Sequence, residues 1–596
     1  MVTTEATGVE RPAGLAGTRG SAGFGSDLMV DLLRALGHRY LPMNPGSSFR
    51  GLHDSVVNHG GNRDPQLLLC LHEEIAVALA HGYAKATRGP AAAVVHDLVG
   101  LMHASMAVYN AFCDRVPLLL LGGSGPADRS RRRPVDWLHS ATTQVELVRD
   151  FVKWDDEPST AEAAVAAVLR ADRVASSAPT GPVYVSLDAA EQDRALDGPI
   201  LLPDLARHTP MPPMRPDPDA VERAAEVLAQ ATLPVVVGGR VGLDPAATAP
   251  LTTLVEALGA AYSDDRNLVG FPTVHPQNCS GDATLLADAD VVVAVDVVDL
   301  AALPGMDRDR TMVVDLSLGD LGIRSWSGAF GPPVPRDVHL AGDPLAGLWL
   351  LGEAVDGRVD PARRAERAER VRERHNALRA RQRAALATGW TDRPIRPARL
   401  VAETWAAVRG LPWLLVLRNT RTWPEGVWEF PGAGRYLGHS GGGGVGYGPG
   451  AMVGGALAGR DRGELGVAIV GDGELLMAAG ALWTAVHYRI PLLVVVNDNA
   501  SFHNDEQHQR RVAVRRGRPE ENAWIGVRIA GPTIDIAGLA RSYGCWATGP
   551  VEHPDQLASA LKEAAARAAA GEVAVVHART APQDRAQEPT EVPRER

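Results

Sequence analysis

The chain has 596 residues, 45% apolar and 22% charged, the balance of a soluble globular protein too long for one core. A formal net charge of −11 argues against a general nucleic-acid binder, and no apolar run reaches the roughly 18 residues of a membrane span. Cys70, Cys113, Cys279 and Cys545 lie far apart with no metal-ligand spacing, which points to a reducing, cytoplasmic setting.

Residues 1–20 lack the apolar core of a signal peptide and read as a disordered lead-in. From 21 to 205 helix and strand alternate. Asp27 to Leu36 reads as a helix capped at Ser26, and Asn44-Pro45-Gly46-Ser47 as a turn after a short strand. Leu67–Leu71, Pro90–Val95, Val116–Leu121 and Val183–Leu187 are strand-like. His72 and Glu73 stand at the entrance of a helix whose Ile75, Ala78, Leu79 and Tyr83 share a face, and Gly100–Phe112 is a second helix. Residues 206–356 form another α/β unit, with a Pro-led strand, a Gly-rich turn and the strand ADADVVVAVDV, but no G-x-G-x-x-G fingerprint. Residues 357–395 hold an Arg-rich stretch with Glu366 and Arg370 at i,i+4, which reads as a solvated linker helix.

The last unit, 396–581, carries a glycine run from Ser440 to Gly448 followed by a small-residue helix. Ala468 to Phe502 then parses as strand, Gly471-Asp472-Gly473 turn, amphipathic helix (Leu476, Ala479, Leu482, Trp483, Val486), strand and Asn/Asp-rich turn. His503–Ile529 is polar and long for a loop, as an active-site lid would be, and 582–596 reads as a disordered tail. The expectation is three consecutive α/β domains with mainly parallel sheets.

Two parallel strands joined by a helix bring their carboxyl ends to one sheet edge, where ligands bind in such folds. Asp472 and Asn499 stand just past those ends. A carboxylate and an amide oxygen there suit Mg²⁺, which fills its octahedron with water and phosphate oxygens. Gly471 and Gly473 let a diphosphate approach the backbone, and the next helix points its amino terminus at it. Lys85, Lys153 and Lys562 have no obvious Schiff-base setting, which weakens a pyridoxal-phosphate reading.

These residues resemble the thiamine diphosphate-binding motif, and the resemblance assigns Asp472, Asn499 and the carbonyl of Ser501 to the metal. The run H-E-x-x-A-x-x-x-A-x-G-Y-A from His72 to Ala84 resembles the pyrimidine-binding domain of the same enzymes. Glu73 would then hydrogen-bond N1′ of the cofactor, although by itself a glutamate at a helix start is only a favourable charge near the dipole. By position in the glycine loop, the Gly443 carbonyl would accept from the 4′-amino group and Val445 would prop the bent cofactor. The resemblance runs from about Ser21 to Ala581 and is to the acetolactate synthase/benzoylformate decarboxylase group.

It implies an enzyme dependent on thiamine diphosphate and Mg²⁺ that decarboxylates a 2-oxo acid through an enamine, which is then protonated or attacks a second carbonyl. It also implies a homodimer or homotetramer with active sites at subunit interfaces, and no nucleic-acid or membrane partner. An acetolactate synthase-like transferase is the first alternative; a non-catalytic homologue is disfavoured by intact Glu73, Asp472 and Asn499. The middle domain binds FAD in acetolactate synthases, but the missing fingerprint and the segment after Val298 argue against FAD here. His96-Asp97-Leu98-Val99-Gly100 departs from the T-S-G-P-G run of acetolactate synthases. Benzoylformate decarboxylases instead have a histidine at the His96 position and a serine in N-P-G-S, here Ser47; both suit carboxylate binding and proton transfer. The bland alternatives are a core histidine and a turn serine.

Overall fold

The structure, a computed structural model, describes residues 10, 12, 21–265, 268–321, 334–418, 423–438 and 441–582. The lead-in and tail expected to be disordered lie almost wholly outside them.

Three wholly parallel sheets follow one another along the chain. The first contains β1 (Tyr40–Met43), β2 (Gln66–Leu69), β3 (Ala91–Val95), β4 (Leu118–Ser124), β5 (Asp155–Asp156) and β6 (Pro182–Asp188) in the order β2-β1-β3-β4-β6-β5. The second contains β7 (Pro234–Gly238), β8 (Ala261–Asp264), β9 (Val291–Val295), β10 (Met312–Ser317) and β11 (Val338–Ala341) in the order β11-β10-β9-β7-β8. The third contains β12 (Trp413–Leu417), β13 (Leu465–Gly471), β14 (Leu492–Asp498), β15 (Trp546–Val551) and β16 (Val573–Arg579) in the order β12-β13-β14-β16-β15. The central strands are apolar runs buried end to end, as parallel strands covered on both faces must be.

Two local expectations are corrected. The first helix is Gly25–Ala35, and Ser26 lies inside it, bonded to Ser55 and the Gln192 carbonyl; Asp27 takes the capping role by accepting from the Gly23 and Phe24 N–H groups. The Arg-rich helix, Pro361–Ala387, is docked along one face rather than solvated all round. Arg367, Val371, His375 and Leu378 form a buried stripe at helical spacing. The Arg367 guanidinium donates to the Leu228, Ala229 and Leu258 carbonyls of the middle domain, and His375 Nδ1 lies 2.6 Å from the Asn278 carbonyl. Charged residues dominate the sequence of this helix and mask the stripe.

The contact that matters for function joins the first and last domains. The helix Glu73–Thr87 lies along the helix Tyr447–Arg462, and a buried apolar cluster is shared between them. Gly82 and Gly454 set the spacing, since a methyl on either would collide with the Ala451 or Leu79 carbonyl across the contact. A buried polar knot sits beside it. Asp114 accepts Lys85 at 2.5 Å and lies 3.2 Å from His81, and the Tyr447 ring lies against both the His81 ring and the Lys85 ammonium. Among the described residues no helix is long and apolar enough to cross a membrane, and all four cysteines are free.

Candidate cofactor and active site

At the carboxyl edge of the last sheet, β13 and β14 pair with Gly471 opposite Asn497. Asp472 starts the following helix, Asp472–Met477, and its side chain is buried with Oδ2 unpartnered among the described residues. Burial, then the neighbouring Asp498 charge, push its carboxyl up to about 7. Burial works against the Asp498 carboxylate too. However, His577 at 2.5 Å, the Ala500 N–H at 2.9 Å and Arg579 at 2.8 Å hold it below the usual range. Asn497 Oδ1 is likewise buried and unpartnered among the described residues. Two adjacent buried carboxylates and orphaned oxygens are costly unless a cation joins them, so this donor set fits a hard divalent ion.

The turn after β14 is tightly specified. Asn499 Oδ1 accepts the Ser501 N–H at 3.0 Å, the Ser501 hydroxyl bonds Glu506 at 3.0 Å, and Ala500 between them has a φ of +54°. A left-handed non-glycine residue held by flanking side-chain bonds is strain of the kind kept at functional turns. The expected single helix after Asp472 is two, Asp472–Met477 and Ala481–His487, and within the break Gly480 packs against Leu71 of the first domain. The first half of the expected lid loop is a helix, His503–Arg515, and the rest is turns and coil, with Glu506 bridging back to Arg528 at 3.0 Å.

The glycine loop lies along the helix Asp97–Cys113. A Cβ on Gly442 would meet Tyr109 and Asn110, and one on Gly444 would meet Met106. Gly443 has a φ of +71° with open space around it, Gly446 has a φ of +98° at the helix start, and Val445 between them is 50% exposed. Met477 lies against Gly446, and the Gly448 N–H bonds Glu474 at 3.0 Å, tying loop to GDG helix.

Glu73 is the first residue of its helix. Its side chain is only 9% exposed, with Oε2 3.0 Å from His103 Nδ1. A Cβ on Gly100 would lie 3.2 Å from both Glu73 Oε1 and His96 Cβ, so glutamate and histidine flank that glycine. The neighbours Leu71 and Ile75 touch Gly480, which sets Glu73 beside the GDG helices. A single chain therefore gathers Glu73, the glycine loop and Asp472.

His96 caps the helix Asp97–Cys113, and its Nδ1 is 2.8 Å from the buried Ser48 hydroxyl, which also accepts the Asp97 N–H at 3.1 Å. His139 stands edge-on to it at 5.0 Å. Burial, then the His139 charge, push His96 below its ordinary value, while burial raises the Asp97 carboxyl to about 6. Ser47 is exposed, its hydroxyl accepting from Arg133 at 3.4 Å. The serine bonded to His96 is thus Ser48. Sequence reasoning missed Ser48, His103, His139, Asn497 and Asp498. Only the last two carried a signal, the polar triplet Asn497-Asp498-Asn499 at a strand end.

The model of the thiamine pyrophosphate enzyme N-terminal TPP-binding domain matches residues 24–147, and that of the C-terminal TPP-binding domain matches residues 419–578. The chain belongs to the thiamine pyrophosphate enzymes. It is 26% identical over 540 residues to a benzoylformate decarboxylase of Pseudomonas aeruginosa, covering 87% of this chain and 94% of that one. It is 22% identical over 559 residues to an acetolactate synthase large subunit of Haemophilus influenzae, covering 91% and 92%. In fold it matches a Rhodococcus jostii thiamine diphosphate-dependent 4-hydroxybenzoylformate decarboxylase with a TM-score of 0.73 at 22% identity, over 94% of this chain and 99% of that one.

As a member of this family the chain is an enzyme whose two cofactor-binding domains are its first and last. The matched segments contain Glu73, His96, Gly443, Val445, Asp472, Asn499 and Ser501.

Proposed function

We propose that this enzyme decarboxylates a 2-oxo acid with thiamine diphosphate and Mg²⁺. The observation that carries the reading is the convergence of Glu73, His96, the glycine loop and the orphaned Asp472 carboxylate in one region. Asp472, Asn499 and the Ser501 carbonyl would hold Mg²⁺, Gly471 and Gly473 would face the diphosphate, and Glu73, Gly443 and Val445 would hold the pyrimidine. Bound thiamine diphosphate supplies an electron sink for the electron pair left as CO₂ departs.

The chain's own residues do the rest. Glu73 would hydrogen-bond the pyrimidine nitrogen through its carboxyl. The Ser48 hydroxyl accepts the Asp97 N–H and so has its own proton to give to His96 Nδ1, which leaves the neutral ring with its N–H at Nε2. His96 then offers a donor to a substrate carboxylate or keto oxygen, and Ser47 with Arg133 forms a second polar contact for the carboxylate. The test is a panel of 2-oxo acids with cofactor and Mg²⁺, following CO₂ and organic products by mass spectrometry. No CO₂ from any of them would end the reading.

An acetolactate synthase-like transferase is the second reading, favoured by the similarity to acetolactate synthases. Efficient coupling of two 2-oxo acids by the unmodified enzyme would decide for it. We also propose a homodimer or homotetramer, since the apolar Leu71, Met102, Val445 and Met477 are half exposed around the site. Sedimentation showing a fully active monomer would refute this. Free cysteines fit a cytoplasmic enzyme.

A further inference from the structure

Glu73 is a buried carboxyl that must exchange protons. Its side chain is 9% exposed, it lies at a helix amino terminus, and Gly100 closes over Oε1. Among the described residues the imidazole bonded to it is His103, whose Nδ1 is 3.0 Å from Oε2. His103 is 57% exposed, so its far edge, with Nε2, reaches water while its near edge touches the carboxylate. The exposed His72 ring stacks on it with centroids 4.8 Å apart and planes 23° from parallel, which fixes the ring's orientation. His72 cannot itself serve, because its Nδ1 accepts the Glu74 N–H as the helix cap. Imidazole is the side chain best able to take a proton at one nitrogen while giving one at the other near neutral pH.

We propose that His103 is a proton relay between solvent and the carboxyl of Glu73. A proton from water binds Nε2 and the Nδ1 proton passes to Glu73 Oε2, leaving a neutral ring protonated at Nε2; tautomer exchange through water then restores the Nδ1–H form. The net change is one proton carried inward, with no other bond made or broken. The same steps in reverse carry it out. The proposal rests on the reading of Glu73 as the group that faces the cofactor pyrimidine.

The test compares His103→Ala and His103→Asn with the unmodified holoenzyme, reading hydrogen–deuterium exchange at C2 of bound thiamine diphosphate. Asparagine keeps an N–H near the Nδ1 position but cannot pass a proton through, so it separates relay from simple positioning. Both variants should slow exchange by about 10²-fold, and added imidazole should restore the alanine variant. Wild-type exchange in His103→Asn, or no recovery of His103→Ala with imidazole, would overturn the relay. Titration calorimetry with thiamine diphosphate and Mg²⁺ verifies that both variants fold and bind. A readout without cofactor is the imidazole proton spectrum of the apoprotein. It should show a protected, downfield Nδ1 proton on His103 that disappears in Glu73→Ala; its absence from the unmodified protein would also overturn the proposal. Failure of the underlying reading looks different: Glu73→Gln would then exchange C2–H at the wild-type rate.

Discussion

The first and last domains are both parallel sheets with candidate ligand groups at the carboxyl edge, yet they build their halves of the proposed site in opposite ways. The last domain draws Asp472, Asn497, Asp498, Asn499 and Ser501 from one strand–helix–strand unit, where adjacent strands set the spacing directly. The first domain collects Ser47 and Ser48 after β1, Glu73 after β2, His96 after β3 and Arg133 with His139 from the loop after β4. A unit closed by local connections has a readable motif. A pocket collected from four loops does not, because no fixed interval in the chain corresponds to its distances.

The comparison also separates tasks. Buried carboxylates and orphaned oxygens at the last domain's edge call for a fixed cation. Histidines with hydroxyl, carboxyl and solvent partners in the first domain are suited to moving protons. The largest expected effect tests the first half of this contrast. Asp472→Ala should lose thiamine diphosphate and Mg²⁺ binding in titration calorimetry by more than the ~100-fold that removal of an outer partner costs. Undiminished affinity would remove the metal assignment.

Glu73→Gln should bind cofactor normally yet slow C2–H exchange by about 10²-fold, since an amide cannot supply the proton. Weakened binding with normal exchange would reverse the division of labour between the domains. His96→Ala should slow aldehyde release about tenfold or more relative to CO₂ release, and an artificial oxidant that intercepts the decarboxylated product should restore turnover. Equal slowing of both steps would leave His96 as a core residue.

Ser48 and Ser47 sharpen the same comparison at a smaller scale. Ser48→Ala leaves the buried Asp97 N–H without a partner and should cost roughly 1–3 kcal/mol in urea unfolding. Ser47→Ala, at an exposed position, should stay within about 0.5 kcal/mol. If their order is inverted, Ser48 is not the buried support of His96. The smallest effect concerns the joint between the domains. Burial, then the Lys85 charge, lower His81 to about 4. Its ring is neutral when folded but binds a proton when unfolded below its ordinary value of 6.5. Acid therefore favours the unfolded chain, and stability should fall as pH drops from about 6.5 to about 4. His81→Gln should flatten that limb in thermal melts at stepped pH; an unchanged slope would assign it to other groups.

Much of this was legible beforehand. The parallel α/β class follows from apolar runs alternating with helical periodicity, and the strands placed from sequence in the first domain lie within three residues of β2, β3, β4 and β6. β5, two aspartates long, left no apolar run to find, whereas β10, β12, β16 and the helix Ala161–Ser176 carry apolar runs that were not placed from sequence. The helix start carrying Glu73 and the strand-end turn carrying Asp472 were legible through their local patterns. The break between Met477 and Ala481 was hidden, because the apolar spacing continues through it, and Gly480 within it packs against Leu71 of another domain.

By itself the sequence determined the layers, the strand–turn–helix units and the residues each unit carries to its sheet edge, because these depend on side-chain periodicity and on short connections. Tertiary structure alone decided that Ser48 rather than Ser47 supports His96, that His103 meets Glu73, and that one chain can bring Glu73 beside Gly480 and the glycine loop. Those pairings rest on two helices approaching to backbone contact at Gly82 and Gly454. A contact of that kind depends on what both surfaces lack, and no spacing within either segment encodes it.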